Sequence, residues 1–331
     1  MHRFEGKIKR FKLTFFALIF IFITLIIILI SLKYGGNLLK IKEIFQEENK
    51  LLIFHLRLPR ILADFMVGAG LSVVGFSFQT IVRNPLADPY LFGISGAAAF
   101  GYIFGVIFFG NFIVGSYLLS IIISITTVIF VLYLGTKKHE IGISSLILTG
   151  VAVSFFFSAV IAVMSVFLSD RFVKNILLWY MGNTGGLTLN ESVFSLFIIV
   201  LLSFFMFLDM DKLNICRIGE SFAQTTGVDV RNLIYRQYIL GSMITVAVVS
   251  KCGAIGFVGL VMPHIVRLIM KTDYKMQYLM TFFIGGNMLI VLDTVIKTIF
   301  YPVEIPVGVI TALLGSPFLI ILLRKHRSDI N

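Results

Sequence analysis

The segment "NICRIGESFAQTTGVDV", residues 214–230, is polar and contains two glycines, yet it lies between "SVFSLFIIVLLSFFMFL" (192–208) and "YILGSMITVAVVS" (238–250). Both flanks are greasy enough for lipid, where one helical crossing takes roughly 20 apolar residues. Outward from this point, similar runs recur along all 331 residues. The chain is 58% hydrophobic and only 14% charged, with a mean hydropathy of +0.99. Soluble proteins carry roughly a quarter charged residues. The ten-residue alternation of a membrane β-barrel is absent. These features predict an all-α polytopic membrane protein. The apolar run at 13–32 follows "MHRFEGKIKRFK". It is too long, and lacks the small-residue cleavage site, for a signal peptide, so it is read as the first span.

Ten spans are expected, at about 13–33, 60–82, 90–109, 112–134, 141–168, 190–209, 232–250, 255–270, 277–300 and 306–323. The eighth is short and contains Pro263 and His264, which leaves room for a break. Basic residues favour the cytoplasmic side of spans. With the N-terminus inside, that side holds Arg3, Lys7, Lys9, Arg10, Lys12, Arg83, Lys137, Lys138, Lys212, Arg217, Arg231, Arg236, Arg267, Lys271, Lys275, Arg324, Lys325 and Arg327, the majority of the 28 basic residues. Both termini and the loop at about 210–231 are therefore expected in the cytoplasm, with Trp179 and Tyr180 at the outer interface. The net charge of +11 reflects these flanks, and no nucleic-acid partner is expected. Cys216 and Cys252 fall on opposite sides, so no disulfide is expected, and neither has the neighbours of a metal site.

Two small-residue stripes have four-residue spacing: Gly93, Ala97, Gly101 and Gly105 in the third span, and Gly150, Ser154, Ser158 and Ala162 in the fifth. Such stripes let membrane helices approach closely, or they line a wet passage. The serines and the length of the fifth span make it the better candidate for a passage. "RNPLADPYLFGISG" (83–96) cannot continue a lipid-facing helix. Thr188 and Glu191 have capping-box spacing.

No constellation for catalysis is present. There is no phosphate-binding loop, so the chain itself does not hydrolyse ATP, and no H-E-x-x-H pair. Charged residues within spans are few. Asp293 and Lys297 are four apart and can pair. Asp64 lies near the outer end of the second span, and Asp209 and Lys251 lie near span ends. A proton-coupled carrier would need more mid-span carboxylates.

Several segments together resemble a known family. "LRLPRILADFMVGAGLSVVGFSFQTIVRNPLADPYLFGISGAAAFG" (56–101) is similar to the first half of the permeases of bacterial ABC importers for iron-siderophores, haem and cobalamin. "IGESFAQTTGVDV" (218–230), "GAIGFVGLVMPHIVRLI" (253–269), "LD" (292–293) and "EIPVGVITALLGSPFLIILLRK" (304–325) resemble the second half. The likeness covers about 51–325. Lys251 and Ala254 depart from the family pattern. The resemblance implies the type II importer permease fold, with ten helices in two five-helix halves forming a single permease domain over 1–331. It implies a multi-pass protein of the bacterial cytoplasmic membrane and a passage between two copies of the chain. It also implies two cytoplasmic ABC ATPase subunits that bind ATP and Mg, and an extracytoplasmic substrate-binding protein. No cofactor is expected on this chain.

The resemblance also places roles. The loop residues Gly219, Glu220, Phe222, Ala223 and Gly227 are expected to form a short amphipathic helix that seats in the ATPase subunit. Gly227 suits a left-handed C-cap. Arg57, Arg60 and Lys297 are expected at the outer surface as the docking site for the binding protein. Gly142, Ile143, Ser144, Gly150, Ser154 and Ser158 are expected to line or close the passage. The alternatives are an ion-coupled secondary transporter with inverted repeats and a membrane-embedded lipid-modifying enzyme.

Overall fold

Pro59 has no N–H, and its ring clashes with the carbonyl four residues back, so a regular helix cannot run through it. A π turn at Ile53–Arg57 absorbs the conflict, and one continuous helix runs Lys50–Val82. The second span thus starts at Lys50 rather than residue 60. The computed structural model describes residues 2–35, 46, 49–110, 113–137, 140–270 and 272–328. Lys138 and Lys271, counted above among the cytoplasmic charges, lie outside the described residues, as do the side chains of Lys137 and of the basic residues at both termini.

The helices are α1 (His2–Lys33), α2 (Lys50–Val82), α3 (Ile94–Phe109), α4 (Ile113–Gly135), α5 (Ile143–Val166), α6 (Asp170–Tyr180), α7 (Leu189–Leu208), α8 (Met210–Ile218), α9 (Glu220–Thr225), α10 (Val230–Cys252), α11 (Val258–Ile269), α12 (Tyr274–Phe300) and α13 (Val307–Ser328). A two-residue antiparallel pair, β1 (Thr136–Lys137) with β2 (Glu140–Ile141), closes the turn between α4 and α5. Among the described residues, seven helices are long and apolar enough to cross a membrane. Three shorter apolar helices, α3, α11 and the first part of α13, complete the ten expected spans. The amphipathic α6 and the short α8 and α9 are additional. The end bearing Arg83 and α9 is called the inner end below, and the opposite one the outer end.

The core is built around α2, which packs against α7, α10, α11 and α12. The second span therefore sits among helices of the second half. Small residues make this possible. A methyl on Gly68 would lie 2.2 Å from the Gly285 carbonyl oxygen, and one on Gly75 would lie 1.8 Å from that of Gly259. In lipid, such close approach supplies the packing attraction that hydrophobicity cannot. The third-span stripe does the same: Gly101 and Gly105 press against the backbone at Ser120 and Ser116 of α4.

The eighth span is short but not broken at Pro263. Proline leaves the carbonyl of Gly259, four residues earlier, without its helical partner, and the Gln79 side-chain amide of α2 donates to it at 3.3 Å. The irregular part lies earlier, at 253–257. Bare backbone within a membrane must be satisfied by protein. The Tyr90 hydroxyl does so at Ile255, donating to its carbonyl at 3.1 Å and accepting from its N–H at 3.0 Å.

Candidate functional sites at the two ends of the bundle

At the inner end, α8 and α9 stand between the spans α7 and α10. Gly219 is the N-cap of α9, and Glu220 lies in its first turn. Gly227 adopts φ +81°. The N–H of Val228 donates to the carbonyl of Ala223, and that of Gly227 to Gln224, which is a Schellman C-cap closing a six-residue helix. Ala223 is fully buried and pins α9 to the bundle, whereas Phe222 is 49% and Ile218 71% exposed. The corner between α8, which ends at Ile218, and α9 thus presents an apolar knob beyond the ends of the spans.

Arg83, which the sequence reading left without a role, ties this knob to the core. It ends α2 in the left-handed region, at φ +53°. Its Nη2 donates to the Cys216 carbonyl at 3.2 Å and reaches a Glu220 carboxylate oxygen at 3.4 Å. Both side chains of the ion pair are about half exposed, so its contribution is small. Burial, with the Glu220 charge beside it, pushes the Cys216 thiol above its ordinary range.

At the outer end, Arg57, Arg60 and Lys297 come together around one pocket of about 160 Å³, with Ser31, Thr294 and Glu304 in its walls. They are not the exposed patch that the sequence suggested. Arg57 and Arg60 are 6% and 7% exposed. Arg60 grips Asp293 in a bidentate pair, Nε at 3.2 Å and Nη2 at 3.0 Å. Lys297 pairs with the same carboxylate at 2.5 Å, and Arg57 donates to the Leu32 carbonyl at 2.6 Å. The reason is the buried carboxylate: an ion held in a low-dielectric interior must be paired. Asp64 lies nearby, accepting from the Thr184 hydroxyl at 2.6 Å.

Lys251, the departure noted in the sequence, also has partners there. It pairs with Glu191 at 2.9 Å and stands 4.1 Å above the Tyr117 ring. Glu191 simultaneously completes the capping box with Thr188. Tyr102 and Trp179 stack at 4.2 Å between centroids.

The candidate passage residues divide. Gly150 is buried, and a methyl there would lie 2.5 Å from the Leu91 carbonyl oxygen. It is a packing contact and does not line an open surface. Ser154 and Ser158 border a pocket of about 260 Å³ with Asp88, Tyr90 and Phe155. Gly142 and Ser144 are exposed and Ile143 is partly so, at the start of α5. Asp88 caps the turn before α3 by accepting from the Tyr90 N–H at 2.8 Å; burial nevertheless pushes its carboxyl up to about 6. Among the described residues, no group of three His, Cys, Asp or Glu side chains is placed to hold a metal ion.

Comparison with known proteins settles the family, because the model of the FecCD transport family matches residues 19–325. The chain belongs to this FecCD family. It is 34% identical over 280 residues to the cobalamin import system permease BtuC of Halobacterium salinarum, covering 85% of this chain and 75% of that one. It is 30% identical to the hemin transport system permease HmuU of Yersinia pestis, covering 94% and 96%. A solved structure described as an inward-facing metal-chelate type ABC transporter superposes with a TM-score of 0.82 at 28% identity, over 95% of this chain and 99% of that one. This FecCD chain is an ABC importer permease and a multi-pass membrane protein.

Proposed function

We propose that the chain forms the translocation passage of an ATP-driven importer for an iron chelate, such as a siderophore or haem, or for cobalamin. Two copies enclose the passage. Two ABC ATPase subunits bind the inner end and hydrolyse ATP there, and an extracytoplasmic binding protein delivers the cargo to the outer end. The chain lies in the cytoplasmic membrane with both termini inside. The observation that carries this reading is the α8–α9 corner outside the spans, with Ile218 at the end of α8 and Phe222 on the capped α9 both exposed. An apolar knob of this kind fits a groove on a soluble partner. The relatives named for cobalamin and hemin import support the cargo class. An ion-coupled carrier is less well supported, because Asp293 is already engaged by Arg60 and Lys297 and Asp64 by Thr184. A lipid-modifying enzyme is less well supported, because Arg60, Asp293 and Lys297 in the polar cluster at the outer end are engaged with one another.

The passage is tested by thiol labelling in a background with Cys216 replaced by Ser. Cysteines at Ser144, Ser154 and Ser158 are expected to react with a water-soluble maleimide in membranes, at rates that change when ATP is added to the assembled importer. Protection of Ser144, Ser154 and Ser158 in every nucleotide state would assign this face to packing alone.

A further inference from the structure

Arg60 commits Nε and Nη2 to Asp293. Its third nitrogen, Nη1, faces Gly185, where even a methyl would come within 2.7 Å. Nη1 also faces the pocket shared with Arg57 and Lys297, and there it meets a carboxylate of the chain itself, Glu304, at 3.7 Å. That distance is within ion-pair reach but too long for a hydrogen bond. The two partners are unequal. The Arg60 side chain is 8% exposed and fixed, whereas that of Glu304 is 75% exposed. Glu304 lies in the non-helical 301–306 segment between α12 and α13. A pocket of about 160 Å³ has room for a carboxylate head and a few waters, each water taking roughly 30 Å³ of liquid volume.

We propose that Glu304 is an internal placeholder. In the undocked permease its carboxylate stands at the mouth of the Arg57–Arg60–Lys297 pocket, and on docking an acidic side chain of the binding protein displaces it and takes the Arg60 Nη1 hydrogen bond. This rests on the proposed delivery of cargo to the outer end by a binding protein, and on the docking role that the family resemblance implies for these three residues. The partner chemistry follows from the pocket: three cationic side chains line it, and Asp293 answers Arg60 and Lys297 from behind. A weak, solvated internal pair is easily exchanged for an external one. The placeholder therefore sets the on-rate and salt dependence of docking, which are the quantities that rim charges control.

The test uses the permease–ATPase complex in nanodiscs and its own binding protein, with association followed by surface plasmon resonance at low and moderate salt. Glu304→Gln is expected to raise the low-salt association rate about threefold and to steepen its salt dependence, with the thermal midpoint unchanged. Lys297→Gln, which leaves the Arg60–Asp293 pair in place, is expected to slow association. If Lys297→Gln slows association but Glu304→Gln does not speed it, the placeholder role is overturned while docking at the pocket stands. Slower association by Glu304→Gln also overturns it, since Glu304 would then be a contact for the partner. An unchanged rate in the Lys297→Gln variant overturns the docking reading and the placeholder with it.

Discussion

Replacing Phe222 with Asp is expected to abolish coupling to the ATPase subunits while leaving the permease inserted and folded. Phe222 is half exposed on α9, and the fold does not depend on it, because buried Ala223 and the Gly227 cap hold the helix in place. A central aromatic anchor at an interface is worth at least about 2 kcal/mol. That corresponds to roughly thirtyfold in affinity, and an aspartate adds the desolvation of a charge in an apolar groove. Pull-down of the ATPase subunit and binding-protein-stimulated ATP hydrolysis should both fall to background, with an unchanged size-exclusion profile for the permease alone. Normal stimulated hydrolysis by the variant would remove α9 from the coupling role.

The second large effect is expected at the other end. Asp293 is 1% exposed and answers two cations. Asp293→Ala leaves Arg60 and Lys297 facing each other without the buried carboxylate that joins them, and with only the largely exposed Glu304 beside Arg60. Breaking a buried pair in this way costs about 3–5 kcal/mol, enough to lower folded yield and thermal midpoint markedly in detergent. Asp293→Ala combined with Lys297→Met should recover part of that loss, because one of the stranded charges is removed with it. Thermal unfolding followed by tryptophan fluorescence and size-exclusion chromatography measures both. A single variant within about 1 kcal/mol of the wild type, well below the cost of a broken buried pair, would show that the cluster is solvated.

What the sequence made legible was local. The spans follow from apolar runs, the Thr188–Glu191 box from its spacing, and the α9 cap from Gly227, because each depends on residues a few positions apart. The Asp293–Lys297 pair was readable for the same reason. The Arg60–Asp293 grip joins residues 233 apart, and no spacing rule reaches that far; two arginines beside a proline read as surface. Lys251 looked anomalous until Glu191, 60 residues away, supplied its partner. Pro263 suggested a break because Gln79, which takes up the orphaned carbonyl, lies in another helix. The amphipathic α6 escaped notice because a search for spans of about 20 residues passes over an 11-residue helix. Gly150 read as passage because a small-residue stripe looks the same whether it meets water or the backbone at Leu91.

ATP-driven import is tested most directly in proteoliposomes that contain the permease and its ATPase, with the binding protein outside and ATP with Mg inside. Uptake is followed for a panel of ferric siderophores, haem and cobalamin. One member of the panel is expected to accumulate only when ATP is enclosed and the binding protein is present, with no response to an imposed proton or sodium gradient. Accumulation that follows an ion gradient and proceeds without ATP would contradict the account.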